Sequence, residues 1–149
     1  ARRERGLDAY GIGRLEIDHA EADDVIANLV HATPGRPRLI MSGDRDLYQL
    51  LAEEVRVLNT ATPPGGRHIG PAEVRRRYGV TPAQWPCFRA LCGDGSDNIP
   101  GVRGVGPVTA ARLLADGLTL EDLPASGRLT GITGQRSAPP STRCSPGAS

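Results

Sequence analysis

Two short apolar runs, Leu39-Ile40-Met41 and Val55-Arg56-Val57-Leu58, bracket a segment that opens Gly43-Asp44-Arg45-Asp46. A strand ending near Ser42, a helix from Asp46 to about Glu54 and a second strand at Val55–Leu58 predict a parallel α/β sheet, the commonest architecture for such alternation. Upstream, Val25, Ile26, Leu29 and Val30 fall at helical spacing behind acids in a first turn, and Pro34-Gly35-Arg36-Pro37 ends that helix. Leu15 and Ile17 suit either a short strand or a loop. Residues 1–10 read as the end of a longer helix.

The second half has a different rhythm. Residues 60–70 read as loop. A helix is predicted from Pro71, a favoured first position, to Tyr78, with Gly79 as its stop. Thr81-Pro82-Ala83-Gln84 has the form of a capped start for a helix through Leu91, with Pro86 in its first turns where it costs least. Pro107 to Ala115 predicts another helix with Val108, Ala111 and Leu114 on one side, closed by Asp116-Gly117, and Leu118 to Leu123 one further turn. Apolar periodicity fades beyond Gly131, and 131–149 reads as a disordered tail. The predicted divisions are thus 1–70, 71–130 and 131–149.

Composition sets outer limits. At 149 residues and 38% hydrophobic the chain can bury a core, which 3% aromatic content predicts to be aliphatic. A net charge of +1 does not announce a nucleic-acid partner, but its distribution says more: Arg75, Arg76, Arg77, Arg89, Arg103 and Arg112 all lie in the second half. Cys87, Cys92 and Cys144 match neither a zinc ribbon nor a disulfide framework, so reduced structural thiols in a cytoplasmic protein are expected. No apolar run reaches the length of a membrane span.

Chemistry enters with three acidic clusters: Glu21-Ala22-Asp23-Asp24, Gly43-Asp44-Arg45-Asp46 and Gly93-Asp94-Gly95-Ser96-Asp97. Packing gives no reason to gather these carboxylates at segment ends, where they repel unless spread apart, protonated or neutralised by cations. Oxygen donors of this kind suit magnesium or manganese. Each cluster also has an ordinary structural role. Acids in a first helical turn meet the positive end of the macrodipole, Asp46 can cap the helix it starts, and Gly-Asp-Gly-Ser-Asp-Asn can be an Asx turn.

The third cluster runs into Ile99-Pro100-Gly101-Val102-Arg103-Gly104-Val105-Gly106-Pro107. Glycines between two short helices resemble a helix-hairpin-helix, in which backbone amides approach a phosphate. Arg103 and Arg112 would add backbone contacts. Acidic turns beside such a bend suggest a metal-dependent nuclease. His19, His31 and His68 are isolated and expected at the surface.

Taken in order, Glu-Ala-Asp-Asp-Val-Ile, Gly-Asp-Arg-Asp-Leu-Tyr-Gln-Leu, Tyr-Gly-Val-Thr-Pro-Ala-Gln and Gly-Asp-Gly-Ser-Asp-Asn-Ile-Pro-Gly-Val-Arg-Gly-Val-Gly-Pro resemble the bacterial 5′-3′ exonucleases. That family includes the amino-terminal nuclease domain of bacterial DNA polymerase I and is related to flap endonucleases. The resemblance covers about residues 15–130. It implies a PIN-like α/β nuclease core, incomplete at its N-terminus, followed by an all-α helix-3-turn-helix that binds duplex DNA. The family's first strand ends in an aspartate, and a further aspartate follows; both would precede Ala1, as would most of the helical arch.

By position, Glu21 and Asp23, with Asp24 adjacent, match ligands of one divalent ion, Mg²⁺ or Mn²⁺. Asp44, Asp46 and Asp97, with Asp94 close by, match those of a second; Asp44, Asp46 and Asp97 are the implied catalytic residues. The turn Gly101–Thr109 matches the element that holds DNA through a potassium ion and backbone amides, which implicates Gly101, Arg103, Gly104, Val105, Gly106, Thr109 and Arg112. The implied activity is cleavage of phosphodiesters at 5′ ends and 5′ flaps, in primer removal and repair, with a polymerase domain or partner in the parent. The alternative is a catalytically incomplete fragment that only binds duplex DNA.

Overall fold

The computed structural model of the chain describes residues 9–95 and 98–129 and divides into two compact units, 1–33 and 34–149. In the first, α1 (Ala22–Ala32) follows an extended stretch, with Asp23 and Asp24 in its first turn and Val25, Ile26 and Val30 half-buried. Leu15 and Ile17 lie in loop and are exposed. The expected helix end at 1–10 falls almost wholly outside the described residues.

The second unit is built on the predicted parallel pair. β1 (Arg38–Ser42) runs beside β2 (Val55–Asn59) in register from Arg38↔Val55 to Ser42↔Asn59. Within the stretch expected to be loop, a short strand, β3 (His68–Ile69), adds antiparallel to β2 through Val57↔Ile69. It is too short to show periodicity and is fixed by the Asn59 amide donating to Arg67 O at 2.8 Å. Ile40, Val55, Val57 and Ile69 are buried on one face of the sheet. Leu39 and Met41 point the other way and are exposed, so β1 is not buried throughout as its apolar run suggests; strand alternation separates the two sets.

Between the parallel strands, the helix expected to reach Glu54 is a single 3₁₀ segment, Asp46–Leu50. Leu51 is already extended, and Ala52 and Val55 exchange backbone hydrogen bonds that turn the chain into β2. Its inward residues, Leu47 and Tyr48, are buried. Asn59 Nδ2 donates to the Tyr48 hydroxyl at 2.7 Å, while Asn59 Oδ1 accepts from the Ala61 amide, so this buried amide ties segment, strand and loop together. Burial raises the Tyr48 pKa above that of an ordinary phenol.

Helix α2 (Pro71–Tyr78) has the predicted bounds, with Pro71 at its first position and Gly79 in the left-handed conformation (φ 73°) donating to Arg75 O. Thr81 and Gln84 form a capping box at a 3₁₀ turn that leads into α3 (Trp85–Cys92). Gln84 Nε2 also donates to Leu114 O at 2.6 Å and Leu118 O at 2.9 Å, so the cap doubles as a tie to the end of the next helix.

That helix, α4 (Pro107–Leu113), stops short of Ala115 because Asp116 turns left-handed (φ 61°). Its buried positions are Ala110 and Leu113, followed by Leu114, whereas Val108 is 85% exposed. Of the expected face, Leu114 is buried, Ala111 half-buried and Val108 exposed, so the packed side is centred on Ala110, Leu113 and Leu114. The further turn expected over Leu118–Leu123 begins later, as α5 (Leu123–Ser126).

The core is mostly aliphatic, as expected, but the few rings are not scattered through it. Four of the chain's five aromatic residues, Tyr48, Tyr78, Trp85 and Phe88, meet with centroids 4.8–6.3 Å apart. Cys87 is buried and disulfide-bonded, against the expectation of three reduced thiols. Cys92 is free, and burial raises its thiol pKa.

On the outer face of α2, Glu73 accepts hydrogen bonds from Arg76, at 3.0 and 2.6 Å, and from Arg77. The Arg76 contact above all, and then Arg77, lowers the Glu73 pKa from 4.5 to about 2. A folded-state pKa below the unfolded value stabilises at pH above the unfolded value, and that contribution disappears as pH falls through the folded one. The pairing is therefore expected to persist below pH 4.5 and to be lost near pH 2, read by NMR titration of the Glu73 carboxyl. Titration near 4.5 would show that the pairing does not hold in solution.

Candidate metal and nucleic-acid site

The acids of the first unit lie at the start of α1. Glu21 is the N-cap residue in extended conformation (φ −77°, ψ 153°), outside the regular helix, while Asp23 and Asp24 sit in the first turn. All three carboxylates are exposed.

In the second unit the chain leaves β1 through Gly43, and Asp44 folds back on itself. Its amide donates to Ser42 Oγ at 3.1 Å, and its Oδ1 accepts the Asp46 amide at 2.8 Å. Asp44, rather than Asp46, therefore caps the 3₁₀ segment, and the Asp46 carboxylate is left free to face elsewhere.

It faces Arg89. The Arg89 Nε donates to Asp46 Oδ1 at 2.8 Å, and its Nη2 pairs with Asp94 Oδ2. A guanidinium from α3 thus sits between carboxylates from the start of the 3₁₀ segment and from β4 (Gly93–Asp94). The cluster is half-sheltered: the side chains of Arg89, Asp46 and Asp94 are 23%, 38% and 12% exposed. The sequence marks Arg89 only as one of the arginines concentrated in the second half. The helical step from Phe88, which points to the core, was the one signal that could have turned it toward the acids.

Asp94 belongs to a two-residue ladder, β4 with β5 (Ile99–Pro100), paired Gly93↔Pro100 and Asp94↔Ile99. The ladder closes the acidic loop at its base. Asn98 is left-handed (φ 54°), as its Asx-turn chemistry allows. Ser96 and Asp97, the latter among the expected ligands, lie outside the described residues.

After β5 the Val102 amide donates to Leu91 O and the Val105 amide to Val102 O, forming the tight turn that the glycines foretold. Gly104 is left-handed (φ 80°), and nothing lies within 4 Å of where a side chain would begin at Gly104 or Gly106. Gly106 is the extended N-cap of α4. Arg103 and Arg112 are exposed, Thr109 is half-buried, and Gly101 is enclosed by backbone. Val105 is only 6% exposed, so its side chain anchors the turn and only its backbone is left for a ligand.

Two adjoining family models match the chain. Residues 3–79 match the 5′-3′ exonuclease N-terminal resolvase-like domain. Residues 80–136 match the 5′-3′ exonuclease C-terminal SAM fold. The chain belongs to the 5′-3′ exonuclease family.

Its relatives include DNA polymerase I of Deinococcus radiodurans, 50% identical over 117 residues, which are 77% of this chain and 12% of that protein. The thermostable DNA polymerase I of Thermus thermophilus is 46% identical over 119 residues, 78% of this chain and 14% of that protein. The chain therefore spans about an eighth of the length of the curated relatives it matches. Among solved structures, a bacteriophage T5 flap endonuclease described as a pseudo-enzyme-product complex with DNA and metal ions superposes with TM-score 0.68 at 23% identity, covering 84% of this chain and 46% of that one. A T5 5′-exonuclease with bound zinc gives 0.65 at 24% identity, covering 76% and 42%. These likenesses bear out the expected fold, an α/β PIN-like portion followed by a helical part.

The donor chemistry in the second unit fits a hard divalent ion, since every candidate is a carboxylate and a positive charge is already seated between two of them. Among the described residues no three His, Cys, Asp or Glu side chains gather into one group.

Proposed function

We propose that the chain is the nuclease part of a 5′-3′ exonuclease or 5′ flap endonuclease that hydrolyses DNA phosphodiesters with divalent ions. The observation that supports it most is the convergence of Asp46 and Asp94, 48 positions apart in sequence, on one cation beside an open glycine turn. The family match and the ordered motifs agree with it.

In this reading Asp44, Asp46, Asp94 and Asp97 would hold one ion, and Glu21, Asp23 and Asp24 would contribute to another. Mg²⁺ or Mn²⁺, when bound, would lower the pKa of a water and stabilise the attacking and leaving oxygens. The chain's own groups do the rest. Open backbone at Gly104 and Gly106, framed by Gly101 and Thr109, would meet the phosphates and could hold a potassium ion there, while Arg103 and Arg112 would supply charge that positions the duplex without reading its sequence. Among the described residues no helix is long and apolar enough to cross a membrane, and cytoplasmic work on primers and repair intermediates, alongside a polymerase, fits the relatives.

The test is a duplex carrying a 5′-labelled flap, with MnCl₂ or MgCl₂ present. Asp44→Ala and Asp46→Ala are each expected to cut product formation by about 100-fold or more, as loss of a direct ligand should exceed loss of an outer-shell partner. Cleavage that survives either change, or survives EDTA, would reject the assignment. Retarded duplex with no product at saturating manganese would leave a binding module only.

A further inference from the structure

Arg89 is the unforeseen member of the acidic site. It comes from the same short helix as Trp85, Cys87, Phe88 and Leu91, all buried, so its backbone is held by the core while its side chain reaches outward to the carboxylates. Its fork engages Asp46 through Nε and Asp94 through Nη2, one carboxylate on each arm. Two carboxylates drawn this close repel unless a cation lies between them, and a planar guanidinium can satisfy both at once.

We propose that Arg89 is a built-in counter-cation that holds Asp46 and Asp94 together when no divalent ion is bound and competes with that ion for the same oxygens. The inference rests on the metal-dependent reading of the site and assigns Arg89 a positioning role within it. Asp46 Oδ1 and Asp94 Oδ2 are the atoms at issue: an ion that takes them must displace the guanidinium or share them with it. The arginine therefore keeps the acids gathered at low metal concentration and weakens metal binding by the same contact. Its removal should move two observables in opposite directions, which a residue of purely structural value would not do.

The experiment uses the full chain, titrated with MnCl₂ by calorimetry and melted separately in EDTA. Arg89→Gln is expected to melt lower than the parent in EDTA, because the two carboxylates lose their shared partner. It is also expected to bind Mn²⁺ about tenfold tighter, since a unit positive charge next to the ion is gone. Arg89→Lys keeps the charge but reaches only one carboxylate at a time, and should bind Mn²⁺ about threefold tighter; it decides the matter if the glutamine variant does not fold. Mn²⁺ binding by the variants that is equal to or weaker than the parent's overturns the counter-cation role while leaving the metal site standing. Failure of the parent itself to bind Mn²⁺ at millimolar concentration overturns the metal reading and this inference with it.

Discussion

Trp85→Ala is expected to lower the unfolding free energy by about 3–5 kcal/mol, the usual cost of deleting a large buried aromatic. Trp85 is 2% exposed and central to the ring cluster. Its ring stacks on Phe88 at 5.3 Å, meets Tyr78 edge-on at 4.8 Å and lies 5.1 Å from Tyr48. Those partners come from α3, α2 and the 3₁₀ segment after β1, so one side chain joins three elements. Each aromatic pair adds about 0.5–1.5 kcal/mol beyond its buried area.

The indole Nε1 is buried with no hydrogen-bond partner, so truncation forfeits packing without breaking a polar contact. Trp85→Phe, which keeps an aromatic face, should cost markedly less. Urea denaturation followed by circular dichroism measures both, because the variants lack the chain's single tryptophan as a fluorescent probe. An alanine variant as stable as the parent would mean that the rings are neighbours without being the core.

The same cluster shows where sequence reasoning was sound and where it failed. Strand, turn and strand over 38–59 were legible because two β-rich runs lie either side of a turn signal. The bounds of α2 were legible because Pro71 and Gly79 act locally, through a fixed φ and a permitted left-handed one. The capping box at Thr81 and Gln84 was legible for the same reason.

What was lost is non-local. A low aromatic count says nothing about whether the few rings meet. Nor does an arginine in a helix announce that its fork will find Asp46, 43 positions away. The exchange of roles between Asp44 and Asp46 was also hidden. Either carboxylate can satisfy the first amides of the segment, and only the backbone path out of β1 determines which does. The acids of the site were visible as residue types at turns, while the charge that balances two of them was not.

The base of the acidic loop gives the second large effect. At Gly101 a Cβ would stand 2.3 Å from the Cys92 carbonyl carbon, 2.4 Å from its oxygen and 2.5 Å from the Gly93 amide nitrogen. At Gly93 it would stand 2.3 Å from the Gly101 nitrogen, and φ there is +75° as well. The obstructing atoms are backbone, which cannot swing aside as a side-chain tip would. Gly101→Ala must therefore push β4 and β5 apart, at a cost of about 1–3 kcal/mol, as for other overpacked sites.

Gly93→Ala carries the same clash plus a left-handed backbone that disfavours any Cβ, about 1–2 kcal/mol more. Gly104→Ala is the contrast, since its φ is also positive (80°) but the space around it is open. It should show the backbone term alone. The expected order of melting temperatures is parent, Gly104→Ala, Gly101→Ala, Gly93→Ala, from highest to lowest.

Metal binding should divide the same variants into two groups. Separating β4 from β5 displaces Asp94, so both ladder variants should lose Mn²⁺ binding in calorimetry, whereas Gly104→Ala should retain it. A Gly101→Ala chain that melts within a degree of the parent and binds Mn²⁺ equally well would show that the two strands do not meet so closely, and that the ladder does not position Asp94.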